Sequence, residues 1–219
     1  MTWTSTARVS RSGRCPRTSS GCGRAGGTCA PSVTSGTPIR PWRELRREAI
    51  ADCRVFSVER SIAASPADGT EHDFYRVVSR DWVQIVPVTE DDRIALVRQY
   101  RHGSGSVSLE VPGGIVDPGE PPADAAVREC LEETGYRAGA LQSLGSVNPN
   151  PAIHTHRLHA FFATASEKVT DVQTTATEHT EVELVPVDRV ADELRSGRID
   201  HALVVAVLWR FLDEYRKPR

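Results

Sequence analysis

Three carboxylates, Glu129, Glu132 and Glu133, stand at a spacing that could do chemistry, inside the stretch GGIVDPGEPPADAAVRECLEETGY that runs from Gly113 to Tyr136. Residues three and four apart are neighbours on a helix surface, where like charges repel and cost stability. A solvated acidic face would account for an isolated pair. Here Gly113, Gly114, Glu120, Arg128 and Gly135 come at set distances from the acids as well. A hard divalent cation would turn the crowding to use, and oxygen donors at this density suit magnesium, with manganese the alternative.

A helix must present these acids. Pro121 and Pro122 sit where one can begin, because first-turn amides have no intrahelical partner to lose. Gly135 sits where a left-handed residue usually ends one. At about 100° per residue, Ala123, Val127, Cys130 and Leu131 fall on the side away from the acids and are expected to face the core.

The pattern Gly114-x5-Glu120-x7-Arg128-Glu129-Cys130-x-Glu132-Glu133-x-Gly135-Tyr136 resembles the signature of the Nudix hydrolases at every defined position, with Cys130 in a slot that is usually aliphatic. A weaker similarity to the ADP-ribose pyrophosphatase branch extends over most of Trp42 to Tyr215. The resemblance implies an α/β fold, an α/β/α sandwich with a mixed sheet and an N-terminal β-hairpin region. It also implies metal-assisted attack of water on a nucleoside diphosphate linked to another group. On this resemblance Glu129 and Glu133 are the principal metal ligands and Glu132 is a further ligand or a neighbouring acid. The carbonyl of Gly113 or Gly114 adds a ligand, and Glu120 and Arg128 hold the glycine loop against the helix.

The general base of that branch comes from a loop well past the acids, which points to Glu178, with Glu181 as rival and Glu132 as the alternative within the box. In Arg98-Gln99-Tyr100-Arg101, Arg101 matches a residue that binds the diphosphate, with Arg98 beside it; pairing with acids is the plainer role for both. Glu110 is expected to touch the nucleoside or to bond backbone. Pro151, sixteen residues after Gly135, resembles a marker of ADP-ribose specificity, whereas His156 stands where relatives commonly carry Asn. A homodimer is implied, the hairpin between Cys53 and Ser79 reaching the partner's pocket.

Composition bounds the rest. At 39% hydrophobic and 26% charged, most of the 219 residues read as an ordinary globular protein. The richest apolar run, Ala202 to Leu208, is too short to span a bilayer, so no membrane role is expected. Residues 1–40 hold six arginines and no acid, leaving 21 basic against 29 acidic residues in the remainder. An acidic body argues against nucleic acid as a partner. Five cysteines without metal-type spacing fit a reducing compartment, the cytoplasm. His154, His156 and His159 raise a zinc reading, but on an extended segment the first two point away from the third.

Three segments are expected: a disordered Arg/Ser/Gly-rich tail over 1–40, an N-terminal strand region over 41–80 with a dimerisation role, and the hydrolase domain over 81–219. Within them, Trp42 to Ala51 reads as a short charged helical turn. Cys53 to Ala63 and Glu71 to Ser79 read as a hairpin around Pro66-Ala67-Asp68-Gly69. Strands are expected at Trp82 to Val88, Arg93 to Tyr100, Leu141 to Val147, Arg157 to Ala163 and Glu181 to Val187. Asp188 and Asp200 are expected to cap two closing helices. The function expected is magnesium-dependent hydrolysis of ADP-ribose or a related ADP-sugar to AMP and a sugar phosphate. The alternatives are another nucleotide sugar such as GDP-mannose, and a non-catalytic nucleotide sensor.

Overall fold

The structure, a computed structural model, describes residues 38–173 and 179–216. The tail over 1–40 therefore lies almost wholly outside the described residues, as do Cys15, Cys22, Cys29 and Glu178.

The first sheet is antiparallel, in the order β1 (Arg43–Asp52), β2 (Ser57–Ala64), β3 (Glu71–Val78). The β2–β3 hairpin turns as expected, with Gly69 at φ +77° and its N–H donating to the Ser65 carbonyl at 2.9 Å. The expected helical turn at Trp42 to Ala51 is instead β1. Its charges explain the difference: Glu44 meets Arg76 at 3.3 Å, Arg47 meets Glu59 at 3.6 Å, and Glu48 meets Arg60 at 3.3 Å. These partners lie on β2 and β3, so cross-strand pairing overrides a local pattern that looked helical.

The second sheet is mixed. Its path runs β10 (Thr180–Pro186), β5 (Arg93–Arg101), β4 (Trp82–Thr89), β9 (Leu158–Lys168), β7 (Tyr136–Arg137). In addition β6 (Ser106–Glu110) pairs with β5, and β8 (Ala140–Val147) with β9. Only the β4–β9 pairing is parallel. Ile94 to Val97 are fully buried, as four consecutive apolar residues in a strand covered on both faces should be.

Alternation along the strands divides the core in two. Val83, Ile85, Ala95, Phe161 and Ala163 pack with Ala125, Ala126 and Cys130 of α1 (Pro122–Thr134). Val86, Ile94, Leu96, Leu158 and Phe162 pack on the other face with α2 (Val190–Ser196) and α3 (Ala202–Tyr215). Helices cover both faces, the sandwich expected.

Two expectations about helix ends need correction. A 3-10 turn, Val187–Arg189, precedes α2, and neither Arg189 nor His201, the capping residues of α2 and α3, makes a side-chain cap; Asp188 and Asp200 cap nothing. His201 instead turns its imidazole toward Glu110.

Candidate active site

Helix α1 starts with Pro121 as its cap and Pro122 in the first turn, and ends at Gly135 with φ +71°. Gly135 is obligatory twice over. The left-handed conformation disfavours a side chain, and an added Cβ would collide with the Thr170 carbonyl. The helix is rolled from its expected orientation: Ala125 and Ala126 are fully buried, and Val127 is 38% exposed. The cause is that Glu129 and Glu133 face protein, not bulk water. They turn onto the loop that carries Gly113 and Gly114, and the alanines beside them are drawn toward the sheet.

That loop lies against the start of β4. Pro112 and Gly114 accept hydrogen bonds from Ile85 and Val83 at 3.0 and 2.9 Å. Gly114's carbonyl thus already accepts one hydrogen bond from the sheet. Gly113 donates its own N–H to Glu133 Oε2 at 2.9 Å. A Cβ on Gly114 would strike the Glu129 carboxylate, and one on Gly113 would strike the β4 backbone, so the acids approach main chain only because both positions are glycine.

Arg128 ties the assembly together. Its Nε and Nη2 each donate to Glu120 at 3.0 Å, its Nη2 to the Ile115 carbonyl at 3.3 Å, and its Nη1 to Glu129 at 2.7 Å and Glu132 at 3.2 Å. The guanidinium and the Asp117 N–H hold the Glu120 carboxyl down at about 2. In this arrangement Arg128 lies between the acids, and no three His, Cys, Asp or Glu side chains converge on one point among the described residues. The donors themselves, three carboxylates and a glycine carbonyl, are all hard oxygen and fit a divalent cation of the magnesium type.

The other expected residues fall in two groups. Arg101 forms a bidentate pair with Glu110 at 2.7 and 2.8 Å, and His201 Nδ1 lies 3.0 Å from the same carboxylate, off the hydrogen-bond direction. Glu110 is completely buried. Burial pushes its carboxyl up, but Arg101 and His201 outweigh that and hold it at about 2. Glu110 thus braces Arg101; the expectation that it bonds backbone is corrected. Arg98 faces acids, 3.8 Å from Glu183 and opposite Glu181 in the β5–β10 register.

Thr180 donates to the Glu133 carbonyl at 3.0 Å and Val182 packs with α1, so alternation sends Glu181 to the opposite face of β10. Pro151 is exposed in the loop between β8 and β9, which bonds to β3 through Val77. His156 is buried against Trp82, 4.0 Å between ring centroids, while His159 pairs with Asp81 on the α1 side. Sequence reading missed Asp81 and His201. A hydrophilic residue immediately before the apolar run of β4 was the signal for Asp81; His201 left none.

Residues 78–207, more than half of the chain, match the NUDIX domain family, and the chain belongs to it. It is a Nudix hydrolase. Among its relatives, the CMP-5'-(N-acetyl-N-hydroxy-3-aminopropyl)phosphonate hydrolase of Streptomyces rubellomurinus is 32% identical over 160 residues, covering 72% of this chain and 75% of that one. The ADP-ribose pyrophosphatase of Mycobacterium tuberculosis is 27% identical over 173 residues, covering 74% and 79%. A crystal structure of an ADP compounds hydrolase superposes with a TM-score of 0.73 at 25% identity, covering 82% of this chain and 96% of that one.

Among the described residues no helix is long and apolar enough to cross a membrane.

Proposed function

We propose that this chain is a magnesium-dependent pyrophosphohydrolase of nucleotide sugars, ADP-ribose foremost, releasing AMP and a sugar phosphate. The observation that carries the reading is the turning of Glu129 and Glu133 onto the Gly113–Gly114 loop, with Arg128 fixed by Glu120 behind them. Glu129, Glu133, Glu132 and the Gly113 carbonyl would hold the cation. When bound it supplies charge neutralisation for the diphosphate and a water of lowered pKa. Arg128, anchored through Glu120, would remain beside the acids that hold the cation. Arg101, braced by Glu110, presents a guanidinium to a diphosphate oxygen.

For the general base we favour Glu178. It lies outside the described residues, but its flanks are tied to the acids' own helix: Gln173 donates to the Glu132 carbonyl at 2.9 Å and Thr180 to that of Glu133 at 3.0 Å. Glu178→Gln is expected to lower kcat at least about tenfold with magnesium dependence unchanged, and Glu181→Gln to leave both near normal. The reverse result assigns Glu181, and loss in neither variant returns the role to Glu132.

The similarity to a hydrolase of a CMP-linked phosphonate favours a second reading, in which the nucleotide half is not adenosine. Ranking ADP-ribose, GDP-mannose, a CMP-linked compound and NADH by kcat/KM decides between them. Tight binding of ADP-ribose without turnover would instead make the chain a sensor, a reading the complete set of acids opposes. We further propose a homodimer assembled through the β1–β2–β3 sheet, which exposes Trp42, Phe74 and Tyr75; a monomeric mass by light scattering would refute it.

A further inference from the structure

His156 is 3% exposed, and neither of its ring nitrogens has a hydrogen-bond partner among the described residues. Whichever nitrogen carries the proton, one buried donor and one buried lone pair go unmatched, and each such group costs stability. Ring contacts hold it in place. Trp82 lies 4.0 Å away and His154 5.1 Å away between centroids, the latter stacked at 26°. The Nδ1 of His154 is likewise buried without a partner. A proton added to His156 would turn its lone pair into a second unmatched donor and bring a charge into a buried seat, which is costlier still.

The loop that carries this ring, residues 148–157, joins the two sheets. Val77 of β3 donates its N–H to the Ile153 carbonyl at 2.7 Å and accepts the Thr155 N–H at 3.1 Å, while Trp82 of β4 donates to the Arg157 carbonyl at 2.8 Å. Thr155 stands between the two imidazoles in the chain, so moving His156 out of its seat pulls on the Thr155 amide. Two titratable groups face His156 among the described residues: His154 from its own loop, and Asp81 from the residue before β4. Asp81 is already engaged by the Arg157 N–H at 2.9 Å and by His159 at 2.8 Å. The Arg157 guanidinium turns away, to Ser146 and Asn148. Burial first, and His154 second, push the His156 imidazole below its ordinary 6.5, against the pull of Asp81.

We propose that residues 148–157 form an acid-released latch: His156 seats the loop against Trp82 while its ring is neutral, and proton uptake frees the loop from β3. With the loop open the ring hydrates and titrates near its ordinary value, so opening takes up a proton below that pH. The seat is complete above 6.5 and is lost as pH falls from there toward the lower folded value. Glu110, whose folded carboxyl titrates at about 2 against an ordinary 4.5, acts in a separate and more acid window.

The test is residue-resolved amide exchange on the full chain from about pH 7.5 down to about pH 5, corrected for the intrinsic pH dependence of exchange. At the Val77 and Thr155 amides the opening equilibrium is expected to rise by up to about tenfold per pH unit once the pH is below 6.5, the slope of one proton taken up. Amides inside β4 and β5 are expected to keep their protection, which separates release of the loop from global unfolding. His156→Leu removes the titration together with both unmatched nitrogens. It is expected to abolish the rise and to hold the loop at least as firmly at neutral pH. Should a thermal melt show that variant unfolded, His156→Phe carries the same comparison. His154→Gln is expected to keep the rise. The inference is overturned by a rise that survives in His156→Leu or vanishes in His154→Gln, by wild-type Val77 and Thr155 amides that open no faster in acid, or by β4 and β5 losing protection in step with them.

Discussion

Glu133→Gln is expected to lose at least about two decades of kcat at saturating magnesium, the scale on which losing a key charge stabiliser acts. Its carboxylate is aimed by the chain itself: the Gly113 N–H donates to Oε2 at 2.9 Å, and Thr180 fixes the backbone carbonyl of the same residue at 3.0 Å. Gln keeps the shape and an oxygen that can still accept from Gly113, so the thermal midpoint should move little. What disappears is the negative charge proposed to hold a cation against the diphosphate. The loss should therefore fall on kcat and on the magnesium concentration needed for half-maximal rate, more than on KM for the nucleotide. Steady-state kinetics across a magnesium titration measures all three. Near-normal turnover at saturating metal would remove Glu133 from the ligand set and with it the account of why three acids are crowded on α1.

The contrast between what was legible and what was not follows the range of the interactions. The acids, glycines and Arg128 could be read because their partners lie within one loop and one helix. β5 was readable from four consecutive apolar residues, and the β2–β3 hairpin from its turn chemistry. The roll of α1 was not, since Ala125 and Ala126 are small enough to pass as neutral on either face, and only the approach of Glu129 and Glu133 to backbone glycines decides which face is buried. β1 was hidden because its charges are matched on β2 and β3, across a sheet that no local pattern announces. Glu110 was half legible. An acid between Leu109 and Val111 had to be buried or a break in the strand, and Arg101 was within reach across the β5–β6 pairing. His201, on a different element, could not be paired with it from sequence.

Glu110→Ala is expected to cost about 1.5–3 kcal/mol of stability, the worth of hydrogen bonds to a charged group, because the Arg101 side chain it leaves behind is 45% exposed and water compensates part of its charge. Here two cationic or potentially cationic groups depend on it, Arg101 at 2.7 and 2.8 Å and His201 at 3.0 Å, around a carboxylate with no exposed surface. The contribution is tied to pH in a definite direction. The folded carboxyl titrates at about 2 against an ordinary 4.5, so its stabilisation is complete above the unfolded value and is lost as pH falls from 4.5 toward 2. The shift corresponds to about 3 kcal/mol. Urea unfolding of wild type and Glu110→Ala should thus differ most at neutral pH, and the gap should close as pH falls below 4. Glu110→Gln, which keeps an acceptor without the charge, should lie between them. With its brace gone, Arg101 should also hold the diphosphate less well, raising KM in both variants at temperatures where they remain folded. A gap at neutral pH below about 1 kcal/mol, the worth of an exposed pair, would mean that water reaches this carboxylate and that Arg101 is placed by something else.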